Sequence, residues 1–159
     1  MTNELANNWV LWYHHINDDN WSEESYMKVC ELKTLEDYWK LNNTIPTFTA
    51  GIFFLMKENI LPRWEDIENI EGGYWSFKIS KIEADRIWNI FIMKAIGLTL
   101  TNNIEDMKEI NGITISPKIN NCIIKIWNKN KKNNNIQIIN NEHLVGITLS
   151  DVIYGSHVA

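Results

Sequence analysis

Eight tryptophans are spread along a chain of 159 residues: Trp9, Trp12, Trp21, Trp39, Trp64, Trp75, Trp88 and Trp127. An indole buries roughly 150–250 Å² and its N–H asks for a partner when buried, so one core seldom absorbs eight of them. Whatever fold forms must leave some of these rings at a surface where flat molecules can stack. The length suits a single domain, 1–159, with a real core. Hydrophobic residues at 45% and charged residues at 22% are the balance of a globular protein. No run approaches the ~18 apolar residues of a membrane span. The stretch from Met1 to Asn8 is polar and acidic, unlike the basic-then-apolar pattern of a secretory signal.

Short β-rich runs dominate the chain. Asn8 to His15 reads as a strand, Ile16 to Ser22 (INDDNWS) as a loop, and Met27 to Leu32 as a second strand. Thr34 followed by Asp37 marks a helix start, with Thr34 as N-cap and a helix reaching about Leu41. Thr49 to Met56 is a short apolar run expected to be a buried strand, and Lys57 to Gly73 is a long polar connection. Tyr74 to Ile79 follows the Gly72-Gly73 turn as a strand. Ile82 to Ile96 has helix length and ends at Gly97. Gly112 to Ser116 and Ile123 to Trp127, joined by a turn with Pro117 and Lys118, make a hairpin pattern. A polar loop from Asn128 to Asn135 precedes short strands at Ile136 to Ile139 and Asp151 to Gly155. Two helices among many strands predict an α+β fold, an antiparallel sheet with helices on one side, with no repeat or linker.

Several chemistries are disfavoured. Cys30 and Cys122 are far apart, which suits free thiols in a reducing cytosol better than a disulfide framework. No Cys/His spacing resembles a metal site, and no cofactor is implied. His14 and His15 would face opposite ways on a strand and read as ordinary surface or rim histidines. A net charge of −5 argues against broad, charge-driven nucleic-acid binding but allows recognition of one small RNA feature. Asn and Ile together make up about 30% of the chain, a bias that points to an AT-rich genome.

A loop tryptophan paired with a distant Trp-Glu is where a family comes into view. Trp9-Val-Leu-Trp12-Tyr, Trp21, Thr34-Leu-Glu-Asp-Tyr-Trp39, Ile60-Leu-Pro62-Arg-Trp64-Glu65-Asp66 and Gly72-Gly73-Tyr-Trp75 resemble the translation initiation factor 4E family in order and spacing. Asp85-Arg86-Ile-Trp88, Ile124-Lys-Ile-Trp127 and Tyr154-Gly-Ser156-His157 continue the pattern over nearly the whole chain. The AT-rich bias would suit a member from a giant virus of amoebae or from an AT-rich protist. The resemblance implies a single curved antiparallel sheet of about eight strands, with helices on its convex face and the 7-methylguanosine cap of messenger RNA in its concave face.

It also implies roles for particular residues. Trp21 and Trp64 match the two rings that sandwich the base, which carries a positive charge once N7 is methylated. Glu65 matches the carboxylate that accepts guanine's N1–H and N2–H₂ side by side; Asp66 reads as a solvated loop acid. Trp127 matches a ring against the N7-methyl group, or is a core strand residue. Lys118 matches a phosphate-binding arginine, but a lysine lacks the two-pronged guanidinium contact. Ile123 and Tyr74 stand where the family carries basic residues. Lys125 shares a strand face with Ile123 and is the candidate substitute. A loop that in the family covers the nucleotides after the cap would follow Ser156-His157, so those nucleotides are expected to be read differently or hardly at all.

Leu35 and Trp39, four apart on the first helix, match the convex surface that receives an amphipathic helix from the scaffold factor 4G or an inhibitor. Met93 matches the second helix's share of that surface. Asn89 and Ile90 depart from the aliphatic and acidic residues expected there. The reading is therefore a cytoplasmic, monomeric cap-binding module that recruits capped messages through a scaffold. Trp9 together with Trp21 resembles the initiation-active class. A repressor of the same fold is the alternative. A cap hydrolase or methyltransferase is disfavoured, since no glycine-rich cofactor loop, metal cluster or nucleophile–base pair stands out.

Overall fold

The structure, a computed structural model, describes residues 3–158. Met1, Thr2 and Ala159 lie outside it, and with them the start of the Met1–Asn8 stretch and the chain's last position. Seven strands are present among the described residues: β1 Glu4–His14, β2 Met27–Thr34, β3 Ile52–Lys57, β4 Gly73–Ser80, β5 Ile110–Pro117, β6 Asn121–Asn128 and β7 Ile153–Ser156. They form one curved open sheet in the order β2-β1-β3-β5-β6-β4-β7, with every pairing antiparallel.

Strand alternation divides the sheet into two faces. Trp9 and Leu11, Phe53 and Leu55, Ile113 and Ile115, Cys122 with Ile124 and Ile126, and Trp75 with Phe77 are buried in the main core. The helix α2, Lys81–Ile96, lies across β1, β4, β5 and β6 and contributes Ile87, Trp88, Phe91 and Ile92 to it. The residues in between point the other way. Register brings Trp12, Phe54, Thr114, Lys125, Ser76 and Ile153 into one row across six strands. The neighbouring row holds Met56, Gly112, Trp127, Tyr74 and Gly155. Phe54, Met56 and Trp127 form a second, smaller apolar cluster on this face.

Helix α1, Leu35–Thr44, packs on β2 and starts as its sequence predicts. The Asp37 N–H donates to Thr34 Oγ1 at 3.2 Å, and Asp37 Oδ2 accepts the Thr34 N–H at 3.1 Å. Gly97 caps α2, but the left-handed residue there is Leu98, with φ of 59°. At Gly72 a β-carbon would strike the Asn128 backbone carbonyl, so the turn into β4 requires glycine.

The seven described strands agree with the expected single curved antiparallel sheet of about eight. Three expectations need correction. Residues 136–139 are not a strand: Ile136–Ile138 is a 3₁₀ turn, and Ile139 makes only an isolated bridge to Thr101. Asn135 Oδ1 accepts the Gln137 N–H at 3.0 Å, a local bond that competes with a ladder. β3 begins at Ile52 instead of Thr49, because Asp85 accepts from Thr47 Oγ1 and the Phe48 N–H, both at 2.8 Å, and holds that segment to α2. A third helix, α3 Ile104–Met107, went unanticipated; four residues are too few to show a period.

Candidate functional site

The face away from α2 carries a cleft of about 690 Å³. Its floor is aromatic. Phe54 and Trp127 meet edge to face at 6.3 Å, and Tyr26 meets Phe54 at 5.4 Å. Trp127 is only 8% exposed, a core residue by burial, yet it also lines the cleft.

Trp21 and Trp64 line the same cleft and are 47% and 46% exposed. Half-exposed indoles on a concave surface offer free ring faces, as a core tryptophan does not. Each stands on a loop built by side-chain-to-backbone bonds. In the first, Asp18 Oδ1 accepts the Asn20 N–H and Asn20 Oδ1 accepts the Ser22 N–H, both at 2.9 Å. In the second, Asp66 is the organiser rather than a solvated acid. Its carboxylate accepts the N–H groups of Leu61 and Glu68 at 2.9 Å. Asn69, fully buried, donates to the carbonyls of Leu61 and Arg63 at 3.0 and 2.8 Å. These bonds brace the segment that carries Trp64.

Glu65 is not among the residues lining the cleft. Its carboxylate lies 3.4 Å from Arg63 Nε and is partly exposed. It is still close enough to act on the floor. Burial first, and the Glu65 charge second, push the Tyr26 hydroxyl up to about 12.

Lys118, Lys125, Tyr74, Ser76, Ile123 and His157 also line the cleft. Lys118 stands in the β5–β6 turn, closed by its own N–H to the Asn121 carbonyl at 2.7 Å. Lys125 Nζ sits 4.2 Å from the Tyr74 ring centroid. No carboxylate pairs with it among the described residues. Burial, and secondarily the charge of Lys118, lower its ammonium pKa from the ordinary lysine value. Lys125 and Ile123 do share a face, as alternation predicts. The His157 ring centroid lies 4.6 Å from that of Trp127 and 5.5 Å from that of Tyr74, and its Nε2 is buried without a partner among the described residues. Burial, then the Lys125 charge, bring its imidazole down to about 4.

Sequence reasoning gave His157, Tyr26 and Phe54 no role. Strand register places Phe54 here, whereas Tyr26 and His157 stand just outside the ends of β2 and β7 and reach the cleft from those flanking positions. His14 is neither the surface nor the rim histidine that the sequence predicts: it has 0% exposure and lies against Trp21.

On the opposite side, Leu35, Trp39 and Met93 are 42%, 55% and 46% exposed. Trp39 therefore does not pack into the core. Tyr38 Oη donates to Asn89 Oδ1 at 3.3 Å, tying α1 to α2 beneath this surface. Both cysteines are free thiols. No helix among the described residues is long and apolar enough to cross a membrane.

The family model described as eukaryotic initiation factor 4E matches residues 4–156. An initiation factor 4E homolog from Acanthamoeba polyphaga mimivirus is 32% identical over 136 residues, covering 71% of this chain and 50% of the relative. Initiation factor 4E from Dictyostelium discoideum is 31% identical over 134 residues, 79% of this chain and 52% of the relative. The chain thus spans about half the length of these curated relatives. Among solved structures, Ascaris suum eIF4E-3 in complex with an m7G cap superposes with a TM-score of 0.74 at 26% identity, covering 84% of this chain and 77% of that one. Caenorhabditis elegans eIF4E-3 in complex with the 4E-binding protein Mextli and a cap analog gives 0.75 at 25% identity, over 84% and 78%.

Proposed function

This chain belongs to the eukaryotic initiation factor 4E family, and we propose that it binds the 7-methylguanosine cap of messenger RNA in the concave cleft and recruits capped messages for translation. The observation that carries this is the pair of half-exposed indoles, Trp21 and Trp64, on the rim of one aromatic-floored cleft. Stacking contributes ~1–3 kcal/mol per base. The positive charge of a methylated base adds ~0.5–2 kcal/mol of cation–π attraction, a term plain guanine lacks. Trp127 in the floor receives the N7-methyl group.

Glu65 reads the guanine edge by exchanging Arg63 for the N1–H and N2–H₂ donors. A partly exposed ion pair at 3.4 Å is worth ~0–1 kcal/mol, so a bidentate contact can displace it. The triphosphate runs toward Lys118 and Lys125. Lys125 is a partly buried ammonium, unpaired among the described residues, and gains from an anion more than a solvated lysine would.

The exposed Leu35, Trp39 and Met93 form the seat for an amphipathic helix of a scaffold such as factor 4G. A cap-binding repressor would use the same cleft and differ in what occupies that seat. In this reading the chain is a monomeric binding module acting in the cytoplasm, the host's if the source is viral, and it is not an enzyme. The test is tryptophan fluorescence titration with 7-methyl-GTP against GTP. Strong quenching by the methylated ligand is expected; equal, weak quenching by both refutes cap binding.

A further inference from the structure

His14 ends β1 and is fully buried. Its imidazole lies flat against Trp21, with ring centroids 3.7 Å apart and planes within 2° of parallel. Its Nδ1 is 2.9 Å from the His15 carbonyl oxygen, and its Nε2 is 2.7 Å from that of Asn20. A carbonyl only accepts, so each contact is a hydrogen bond only when the ring nitrogen carries a proton. A neutral imidazole serves one of the two carbonyls and an imidazolium serves both. The two carbonyls bracket the loop that leads to Trp21. One side chain therefore backs the indole's inner face and ties down the segment that carries it. Tyr26 closes a further side, edge-on at 5.1 Å.

We propose that His14 is the positioning residue of the cap site, fixing the plane of Trp21 so that its outer face is ready for the methylated base. This rests on Trp21 being a stacking residue of the proposed function. Holding the ring in advance removes an ordering cost that the ligand would otherwise meet. A phenyl ring at this position would still back the indole, but it would leave the Asn20 and His15 carbonyls without their donor. The neighbouring titratable groups are engaged elsewhere or lie edge-on. His15 Nδ1 accepts the Asn17 N–H, Asp18 accepts the Asn20 N–H, and Tyr26 presents its ring edge. No carboxylate makes a salt bridge to His14 among the described residues.

The test has two arms. A stacked imidazole quenches indole emission. The Trp21 contribution, taken as the difference between the chain and Trp21→Phe, should be dimmer in the native chain than in the His14→Phe background, where a phenyl ring replaces the imidazole. The second arm measures affinity for 7-methyl-GTP and GTP. His14→Ala is expected to lose about tenfold in 7-methyl-GTP affinity and to narrow the preference over GTP. His14→Phe should recover part of both.

Equal Trp21 emission in the native chain and in the His14→Phe background overturns the proposal. So does His14→Ala with lowered thermal stability but an unchanged preference, the mark of a merely structural residue. Should His14→Ala not fold, His14→Phe decides: affinity and preference equal to the native chain's overturn it. Undiminished binding by Trp21→Ala would instead refute the reading of the cleft, while the emission arm still reports whether the stack exists.

Discussion

Replacing Lys125 by methionine should make the free protein at least as stable while stripping it of affinity for phosphate. Lys125 occupies the middle of the cleft-facing row, flanked by Thr114 on β5 and Ser76 on β4. Its ammonium is partly buried and pairs with no carboxylate among the described residues, and the Tyr74 ring centroid lies 4.2 Å from it. A single cation–π contact is worth ~0.5–1 kcal/mol where solvent reaches it, and desolvating an unpaired charge offsets that gain. Methionine keeps the length and apolar stem without the charge. A phosphate oxygen at bonding distance would give Lys125 a charge-assisted hydrogen bond worth ~1.5–3 kcal/mol net, or about 10- to 150-fold in affinity. Lys125→Met should lose that much for 7-methyl-GTP and almost nothing for 7-methylguanosine, which has no phosphate. Fluorescence titration with both ligands, alongside thermal unfolding, checks this. Equal losses for nucleoside and triphosphate would show that Lys125 acts through the floor of the cleft. A clearly lowered melting temperature would show that its charge is satisfied in the free protein; either result refutes the reasoning.

Trp64→Ala and Glu65→Ala should each weaken 7-methyl-GTP binding at least tenfold, a loss of ~1.4 kcal/mol; near-native binding by Trp64→Ala would show the stacking pair to be misassigned. Thr34→Ala removes the cap of α1 and should cost ~1 kcal/mol in urea unfolding, with cap affinity unchanged because α1 lies on the opposite side of the sheet. His157 titrates at about 4 in the folded protein and at 6.5 in its unperturbed state. Between those values the unfolded chain binds more protons, so stability should fall as pH drops from about 6.5 to about 4 and be regained as it rises. His157→Gln should flatten that part of the stability profile, measured by thermal melts across the window.

Much of this molecule is written in short-range patterns. The capping box at Thr34 and Asp37, the alternation along β6 and the glycine turn into β4 each depend on residues close in sequence, so they are legible without coordinates. The resemblance picks out Trp21, Trp64, Trp127 and Lys118 because the order and spacing of aromatic landmarks are themselves one-dimensional. Local reading fails where a nearby side chain diverts the backbone, as Asn135 does at residues 136–139 and as Asp85 does from 37 residues away before β3.

Only the tertiary structure decided how the cleft is furnished. Register across six strands sets Phe54 beside Thr114, Thr114 beside Lys125, and Tyr74 beside Trp127, residues whose sequence neighbourhoods say nothing of one another. The same cause hid His14. Two adjacent histidines face opposite ways on a strand and neither carries a mark of burial, but the loop folds back and lays Trp21 over the first of them. Asp66 was hidden too, since its two N–H partners converge on it only once the Trp64 loop has closed. Eight tryptophans announced that some rings would stand at a surface. Which ones do so, and what holds them there, depends on contacts between segments far apart in the chain, and no local propensity encodes those.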